Sequence, residues 1–259
     1  IMIVITGGAG FIGSAFAKKC NQMGVDDLLI VDSLNESEKW KNLSHISYVD
    51  YIHKSEFLDM IVDDMLPPNI EAIVHMGACS ATTEKDMDYL MDNNYRYTRI
   101  LAQWCVDNKK RFIYASSAAT YGDGEKGFLD DHNTLDDLIP INRYGYSKHL
   151  FDVYAQKQGY LDKMVGLKFF NVFGPNEYHK GSMMSMVCKG YTEIKNTGKM
   201  KLFKSYKDEF EDGAQRRDFV YVKDCVDIIW WLLENPKVNG LLNIGTGKAR
   251  TWNDVAKAL

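Results

Sequence analysis

The stretch Ile1-Met2-Ile3-Val4-Ile5-Thr6-Gly7-Gly8-Ala9-Gly10-Phe11-Ile12-Gly13-Ser14 decides the fold of this 259-residue chain. Its apolar start followed by glycines predicts a buried strand, a tight turn and the first turn of a helix. Gly7 and Gly8 permit the turn, and Gly10 removes a side chain that would keep a pyrophosphate away from the backbone. Gly13 lets the helix lie close to the strand, while the N–H groups and dipole of its first turn attract an anion. The sequence therefore predicts a phosphate-binding turn.

A second apolar run, Leu28-Leu29-Ile30-Val31, ends in Asp32. The acid follows the glycine turn by roughly twenty residues, the distance at which a dinucleotide-binding fold places a carboxylate on the adenosine ribose. Strand patterns then alternate with helical patterns through the first two thirds of the chain, as in a parallel sheet with crossover helices. We therefore predict the α/β class, with a Rossmann-type doubly wound parallel sheet over residues 1–173 and a smaller, mainly substrate-binding lobe over residues 174–259. Two later segments are candidates to return to the first domain, 217–222 and 241–247.

Composition and charge limit the classes of function. The chain is 46% hydrophobic and 25% charged, and its formal net charge of −4 disfavours a broad nucleic-acid footprint. Five scattered cysteines without paired spacing indicate reduced thiols and no zinc site. The sequence shows neither a signal-peptide pattern nor an apolar run long enough to span a bilayer. We expect a cytoplasmic protein without membrane or nucleic-acid partners and without a bound metal.

The remaining pattern predicts the order of the other elements. Strands are expected at 46–51, 72–76, 111–115, 169–175 and 241–244, and helices at 56–65, 86–108, 144–160, 223–235 and after Thr251. His75 is interpreted as a packed strand residue rather than a catalyst. Asn93 and Asn94 interrupt the apolar stripe of the helix at 86–108. Two interpretations of this pair stay open, a solvated turn of helix and amides that order the active-site backbone.

A tyrosine and a lysine four residues apart form the candidate catalytic pair. Tyr144 and Lys148 share one face of a predicted helix, so both can point at one site. A lysine ammonium favours the phenolate form of a neighbouring tyrosine. The hydroxyl of Ser117, which follows the strand 111–115, can bridge the phenol and a substrate oxygen. The pattern indicates acid–base chemistry beside a bound dinucleotide.

Seven motifs in this order resemble the extended short-chain dehydrogenase/reductase family, which includes the NAD-dependent epimerases and dehydratases: TGGAGFIGS, Asp32, GACS, YASSAATYG, YGYSK, FNVFGP and RRDFVYV. Three further segments, GACS followed by TTE, MDNNY and HKGSM, resemble the members of that family that epimerise ADP-linked heptoses at C6 for lipopolysaccharide synthesis. The resemblance implies NADP as the cofactor, with NAD as the second possibility, ADP-heptose as the substrate, and a homo-oligomer. Trp230-Trp231 and the long helix from Asp86 would suit self-association.

The resemblance also implies roles at matching positions. The cofactor would be bound by Gly7, Gly10, Phe11, Ile12, Gly13, Asp32, Ser33, Lys39, Lys54, Met76, Gly77, Ala78, Cys79, Ser80, Asn93, Lys148 and Val172. The substrate would be bound by Ser117, Asn171, Ser182, Lys189, Phe203, Lys204, Ser205, Tyr206 and Arg217. Tyr144 and Lys180 would transfer protons, assisted by Ser117 and Lys148. The residues themselves support Arg217, because a guanidinium matches a diphosphate well.

Several departures and alternatives stay open. Dehydration is disfavoured because Ala118 and Ala119 stand where the family's dehydratases carry an acid pair. A UDP-hexose 4-epimerase or related reductase remains the alternative enzyme, and an NADP-sensing regulator without turnover is the alternative from another class. Asp32 favours NAD on simple electrostatics, whereas Lys39 and Lys54 favour NADP. The resemblance further implies that a chain ending at Leu259 lacks part of the substrate-binding lobe, and it leaves the stretch 204–215 and Met76 as departures from the family pattern.

Overall fold

The computed structural model describes residues 2–205 and 211–259 and is centred on a parallel sheet. The strands are β1 Met2–Thr6, β2 Leu28–Asp32, β3 Asp50–His53, β4 Ile70–His75, β5 Arg111–Ser117, β6 Val165–Phe169, β7 Asn171–Phe173, β8 Arg216–Tyr221, β9 Gly240–Ile244 and β10 Ala249–Thr251. Seven of them form one parallel sheet in the order β3-β2-β1-β4-β5-β6-β9. The α/β, Rossmann-type fold expected from the sequence is confirmed.

Helices cover both faces of this sheet. The α-helices of the described residues are α1 Phe11–Gln22, α2 Lys54–Val62, α3 Met87–Leu90, α4 Tyr97–Asp107, α5 Arg143–Lys157, α6 Met186–Thr197, α7 Val222–Glu234 and α8 Trp252–Ala258. Successive strand residues point to opposite faces of the sheet. The side chains on one face pack against α2, α4 and α5, and those on the other face pack against α1 and α7. In the described part of the chain, no helix is both long and apolar enough to cross a membrane.

The strand order places a crevice between β1 and β4. Chain connections run outward in opposite directions from these two neighbours, and ligands of open α/β sheets bind outside the carboxyl ends of the strands at such a point. The loops after the two strands touch each other there. A Cβ on Gly7 would lie 2.6 Å from the backbone nitrogen of Gly77, so the contact requires glycine. The fold thus brings the glycine turn and the small-residue loop 77–80 together.

A smaller sheet follows β6. The sequence predicted one strand over 169–175, but the Val172 N–H donates to the Phe170 carbonyl at 3.0 Å, and this tight turn separates β6 from β7. β6 therefore stays in the large sheet, while β7 pairs with β8 and β8 with β10 in a three-stranded sheet. β9 returns to the large sheet beside β6. The division of the chain at residue 173 stays a prediction.

Several element boundaries differ from those predicted. The third strand is at 50–53 instead of 46–51, because the side chain of Asn21 bonds both the N–H and the carbonyl of Ser47 and holds this segment outside the sheet. Helix α2 ends at Val62, and Asp64 has a positive φ of 55° that is incompatible with helix. The long helix at 86–108 is confirmed from its Asp86 cap onward, with a π-helical turn over Met91–Arg96 between α3 and α4.

Candidate active site

The glycine turn lies at the carboxyl end of β1, as predicted. Gly7 has a positive φ of 64°. A Cβ on Gly13 would come within 2.1 Å of the Gly7 carbonyl oxygen, so α1 can approach the turn this closely only with glycine there. Gly10 caps α1 without a side-chain acceptor for the first N–H groups of the helix. The helix start that carries Phe11 and Ile12 therefore has the geometry that favours a phosphate.

Asp32 ends β2 as a nearly buried carboxylate. Its Oδ2 accepts the N–H of Ala9 at 2.9 Å, and its Oδ1 accepts the N–H of Ser33 at 2.7 Å. The ammonium of Lys39 lies 2.6 Å from Oδ1. The carboxylate thus joins the glycine turn to the segment after β2, and its charge is already paired within the chain.

A second lysine faces the same region. Lys54 Nζ donates to Oδ1 of Asn93 at 2.7 Å. Burial and the neighbouring charge of Lys39 lower the pKa of Lys54, and Asp32 opposes this effect. A further negative charge between the two lysines would therefore be stabilised.

A cavity of about 230 Å³ brings many of the predicted cofactor residues together. Its walls include Gly7, Asp32, Ser33, Lys39, Lys54, Gly77, Ala78 and Asn93. A larger cavity of about 780 Å³ opens at the opposite, amino edge of the sheet beside Arg111 and Trp230. That cavity contains no predicted site residue, and the amino edge is not where parallel sheets bind their ligands. The smaller cavity is therefore the better match to the predicted site.

Asn94 holds the loop after β4. Its Oδ1 accepts the N–H of Cys79 at 2.8 Å, and its Nδ2 donates to the carbonyl of Cys79 at 3.0 Å and to Ser147 Oγ at 3.1 Å. Ser147 Oγ in turn donates to the Tyr144 carbonyl at 2.7 Å. One fully buried amide therefore fixes the loop after β4 and ties it to α5. Asn94 is therefore not part of a solvated turn of helix, and its contacts with Cys79 favour the interpretation of an amide that orders the backbone of the predicted site.

The predicted catalytic pair begins α5 beside the end of β5. Asn142 caps this helix by accepting the N–H of Gly145 at 2.7 Å, which fixes Tyr144 in the first turn. The Ser117 hydroxyl, on the last residue of β5, lies close enough to the Tyr144 phenol to lower the pKa of that phenol. One helical turn later, Lys148 is buried and its Nζ donates to the Ala115 carbonyl at 2.9 Å. The structure thus brings Ser117, Tyr144 and Lys148 together at the carboxyl edge of the sheet.

Burial governs the protonation of this group. It raises the pKa of Tyr144, and the hydrogen bond with Ser117 opposes that effect. Burial also lowers the pKa of Lys148 to about 8, against the attraction of Asp152. Lys148 was expected to favour the phenolate form of Tyr144. In the chain without ligands, desolvation disfavours the charged phenolate more strongly than Lys148 favours it.

His75 is buried and lies 2.5 Å from Thr6 Oγ1 and 2.9 Å from Thr98 Oγ1. Burial lowers its pKa to about 3, so its packed role is confirmed.

Lys180 lies over the start of α1. Its ammonium is 5.4 Å from the centre of the Phe11 ring. Burial lowers its pKa, and the carboxylate of Glu177 opposes the effect. Glu177 is itself buried and shapes this segment by accepting the N–H of Gly174 at 3.2 Å and the hydroxyl of Ser185 at 2.7 Å. Sequence reasoning missed Glu177, whose only signal is an acid within an otherwise uncharged Gly-Pro-Asn-Glu turn.

The Lys180 segment is also bonded to the glycine turn. Nδ2 of Asn42 donates to the Ala9 carbonyl at 2.9 Å and to the Asn176 carbonyl at 3.2 Å, and lies 3.3 Å from Nδ1 of His179. Asn176 Nδ2 donates to Ser14 Oγ at 3.0 Å. The predicted cofactor turn and the predicted proton-transfer segment therefore form one hydrogen-bonded unit.

Apart from Ser117, the predicted substrate residues lie in three groups. Asn171 on β7 and Arg217 on β8 share the small sheet, with Arg217 exposed, and the predicted cofactor residue Val172 follows Asn171 on β7. Ser182 and Lys189 form a second group, in which Lys189 Nζ donates to the Ser182 carbonyl. Of the stretch 203–206, Phe203 packs its ring against Trp252 at 6.3 Å, Lys204 is exposed, and the Ser205 N–H donates to Asp212 at 2.7 Å. Tyr206 lies outside the described residues.

Three comparisons bear on this site. The NAD dependent epimerase/dehydratase family profile matches residues 3–245. The chain is 58% identical over 258 residues to the ADP-L-glycero-D-manno-heptose-6-epimerase of Nitratidesulfovibrio vulgaris, covering 100% of this chain and 80% of that protein. It is 54% identical over 260 residues to the protein of the same name from Fusobacterium nucleatum, covering 99% and 78%. The crystal structure of the Helicobacter pylori ADP-L-glycero-D-manno-heptose-6-epimerase superimposes with a TM-score of 0.84 at 29% identity, over 99% of this chain and 79% of that one.

Proposed function

The chain belongs to the NAD dependent epimerase/dehydratase family, and from this premise we propose that it converts ADP-D-glycero-β-D-manno-heptose to its L-glycero epimer at C6. The likeness to relatives of that name at 58% and 54% identity supports the substrate. The observation that carries the proposal is a second proton-transfer candidate, Lys180, held beside the glycine turn in addition to the Ser117, Tyr144 and Lys148 group.

The residues present fit a nicotinamide dinucleotide. Gly7 and Gly13 let the turn, the loop after β4 and α1 pack closely, because a Cβ at either position would meet backbone atoms within 2.6 and 2.1 Å. Gly10 leaves the first N–H groups of α1 without a side-chain acceptor, and Asp32 ends β2 where a ribose would lie. The loop after β4, held by Asn94, would line the groove toward Lys148. When bound, the nicotinamide would accept a hydride from the carbinol carbon and return it to the opposite face, so the cofactor need not leave.

We propose NADP rather than NAD as the cofactor. The objection that Asp32 would repel a 2′-phosphate is weakened because Lys39 pairs with the carboxylate at 2.6 Å. Lys54 supplies another positive charge on the same cavity, so the three charged groups sum to one net positive charge. Titration of the chain with each cofactor tests this choice, and equal affinities would contradict it.

The chain's own groups would move protons on the C6 oxygen. The lowered pKa of Lys180 makes its amine the better acceptor, and the raised pKa of Tyr144 keeps its phenol as the better donor. In one direction Lys180 Nζ would take the hydroxyl proton and Tyr144 Oη would return a proton to the carbonyl oxygen. The reverse direction exchanges these roles. Ser117 Oγ, beside Tyr144, would hold the substrate oxygen, and Lys148 would orient the nicotinamide ribose.

The competing functions are distinguishable at the same site. Dehydration needs a proton donor for the leaving hydroxyl, and Ala118 and Ala119 after Ser117 cannot supply one. A UDP-hexose 4-epimerase would have no use for a base at Lys180. A regulator that senses NADP would bind the cofactor without turnover.

Turnover of the heptose nucleotide tests the proposal. We expect incubation with ADP-D-glycero-β-D-manno-heptose and a catalytic amount of NADP to produce the L-glycero epimer. NMR spectroscopy would detect this product. Tyr144→Phe and Lys180→Met should each lower turnover by about a hundredfold or more, because each removes a proton-transfer group. The control is Lys163→Met, an exposed lysine at the opposite edge of the sheet, which should keep full turnover.

Three results would contradict the proposal. Conversion of UDP-hexoses but not of the heptose nucleotide would favour the 4-epimerase. Cofactor binding without conversion of either sugar would favour the regulator. Near-native turnover by Lys180→Met would show that this lysine only binds.

A further inference from the structure

A buried ionic cluster lies under the catalytic group, on the sheet face that α5 covers. Asp152 of α5 and Lys168 of β6 are both fully buried, and Lys168 Nζ lies 3.4 Å from Asp152 Oδ2. The hydroxyls of Tyr114 and Ser116 donate to the same carboxylate at 2.9 and 2.6 Å. Lys168 pairs in register with Ser116, and Tyr114 is two residues earlier on β5, so strand alternation puts all three side chains on one face.

A hydrogen-bond relay leads from the cluster to Ser117. Lys168 Nζ donates to Thr120 Oγ1 at 2.7 Å, and Thr120 Oγ1 donates to the Ser117 carbonyl at 2.8 Å. Thr120 is fully buried, and Lys168 also lies 4.5 Å from the centre of the Tyr121 ring. The backbone of Ser117 is therefore fixed by groups that are fully buried and do not line the candidate cavity.

The cluster also acts by charge on the helix above it. Asp152 is one helical turn after Lys148 and two turns after Tyr144 on α5. Its carboxylate opposes the lowering of the Lys148 pKa by burial and raises the pKa of Tyr144. A buried ion pair is a weak source of stability, because desolvation offsets most of the attraction. Its position beside the reacting groups points to a different role.

We propose that the Asp152–Lys168 pair is a positioning unit for the reaction, which aligns Ser117 through Thr120 and keeps Lys148 as an ammonium beside Tyr144. This inference rests on the proposed function for its activity measurements. Other titratable groups also face Lys148 and the pair, and each variant below leaves them in place: Cys79 and His75 toward Lys148, and Tyr114, Tyr121 and His149 toward Asp152 and Lys168.

The charge role predicts a displaced pH profile. Asp152→Asn removes the negative charge and keeps an acceptor of similar shape, so the pKa values of Lys148 and Tyr144 should both fall. Because both groups must stay protonated in the proposed direction, the alkaline limb of kcat/KM should move to lower pH by about one unit. A residue with only a structural role would lower the profile without moving that limb.

A double variant controls for misfolding of Asp152→Asn. Asp152→Asn leaves Lys168 with an unpaired buried charge, whereas Asp152→Asn with Lys168→Met removes both charges. The alkaline limb should again move to lower pH, because Asp152 rather than Lys168 acts on Lys148. If the double variant folds and the alkaline limb of its kcat/KM profile stays in place, the proposed effect of the Asp152 charge on Lys148 is overturned.

Thr120→Val tests the alignment role without changing any charge. It interrupts the relay from Lys168 to the Ser117 carbonyl, and kcat should fall about tenfold while KM and both pH limbs stay in place. A kcat equal to that of the wild type would overturn the alignment role.

A separate readout distinguishes failure of the proposed function. If the wild-type chain does not convert the heptose nucleotide, the proposed function fails, and the pair is then tested by ultraviolet titration of the phenol. The difference between each protein and its Tyr144→Phe counterpart isolates Tyr144. Its pKa should be lower with Asp152→Asn than without it, and equal values would overturn the inference.

Discussion

Lys148→Met should make the protein more stable while removing its activity. Lys148 is buried, and its pKa of about 8 instead of the ordinary 10.5 means that folding the protonated chain costs about 3 kcal/mol at this position. Methionine has a similar volume and no charge, so the variant avoids this cost but loses the hydrogen bond to the Ala115 carbonyl, worth about 1 kcal/mol. The expected gain in the free energy of unfolding at pH 7 is therefore about 2 kcal/mol.

The gain should depend on pH in a defined direction. Between pH about 8 and about 10.5 the unfolded chain holds a proton on Lys148 that the folded chain has released. The free energy of unfolding of the wild type therefore rises with pH across that window, because the cost of burying the Lys148 ammonium is lost. Urea unfolding at several pH values should show a large difference between the variant and the wild type below pH 8, and a much smaller difference near pH 10.5.

A lysine on the same helix provides the control. Lys157 lies in the exposed last turn of α5, and Lys157→Met should change the free energy of unfolding by less than about 0.5 kcal/mol. A Lys148→Met variant that is less stable than the wild type at pH 7, or whose difference does not narrow at alkaline pH, would refute the reasoning that the buried ammonium is costly.

Three further variants test other parts of the site. Asn94→Ala should lower the free energy of unfolding by about 3 kcal/mol and weaken cofactor binding, because both polar groups of Cys79 lose a buried partner; unchanged cofactor affinity by calorimetry would contradict its role. Gly13→Ala would place a Cβ 2.1 Å from the Gly7 carbonyl oxygen and should weaken cofactor binding more than about tenfold, which fluorescence titration would measure; wild-type affinity would show that the turn adjusts freely. Lys39→Met should lower NADP affinity about tenfold and leave NAD affinity within about threefold, and an equal loss for both would remove the support that this lysine gives to NADP.

The fold was predictable because its signals are local and strongly periodic. The run ahead of Gly7 and the run ending in Asp32 are buried strands with turns after them, and these patterns fix a strand and the start of a helix. The boundaries were less predictable where a distant side chain decides them. Asn21 holds Ser47 out of the sheet, and nothing within the segment 46–51 indicates that contact.

The candidate site was predictable where one element carries the spacing. Tyr144 and Lys148 lie on one helix face, so their proximity follows from four residues of separation. The supports that come from other elements were missed at Glu177 and Asp152, because both look like ordinary polar residues until tertiary contacts bury them. At Asn94 the sequence left two interpretations open, since the contact with Cys79 is made only in the folded chain. The sequence also did not show that burial raises the pKa of Tyr144 against the expected effect of Lys148, since desolvation depends on everything packed around the ring.

The bonds that Asn42 and Asn176 make across the site have a consequence for engineering. A segment taken from this protein and grafted into a relative to change its sugar preference would carry Lys180 but leave its anchors behind. Without the Asn42 amide and the Ser14 hydroxyl, no hydrogen bond would fix the position of the transplanted lysine segment relative to the glycine turn. Transplanting the Lys180 segment with its present geometry therefore requires moving Asn42 and Ser14 together with it.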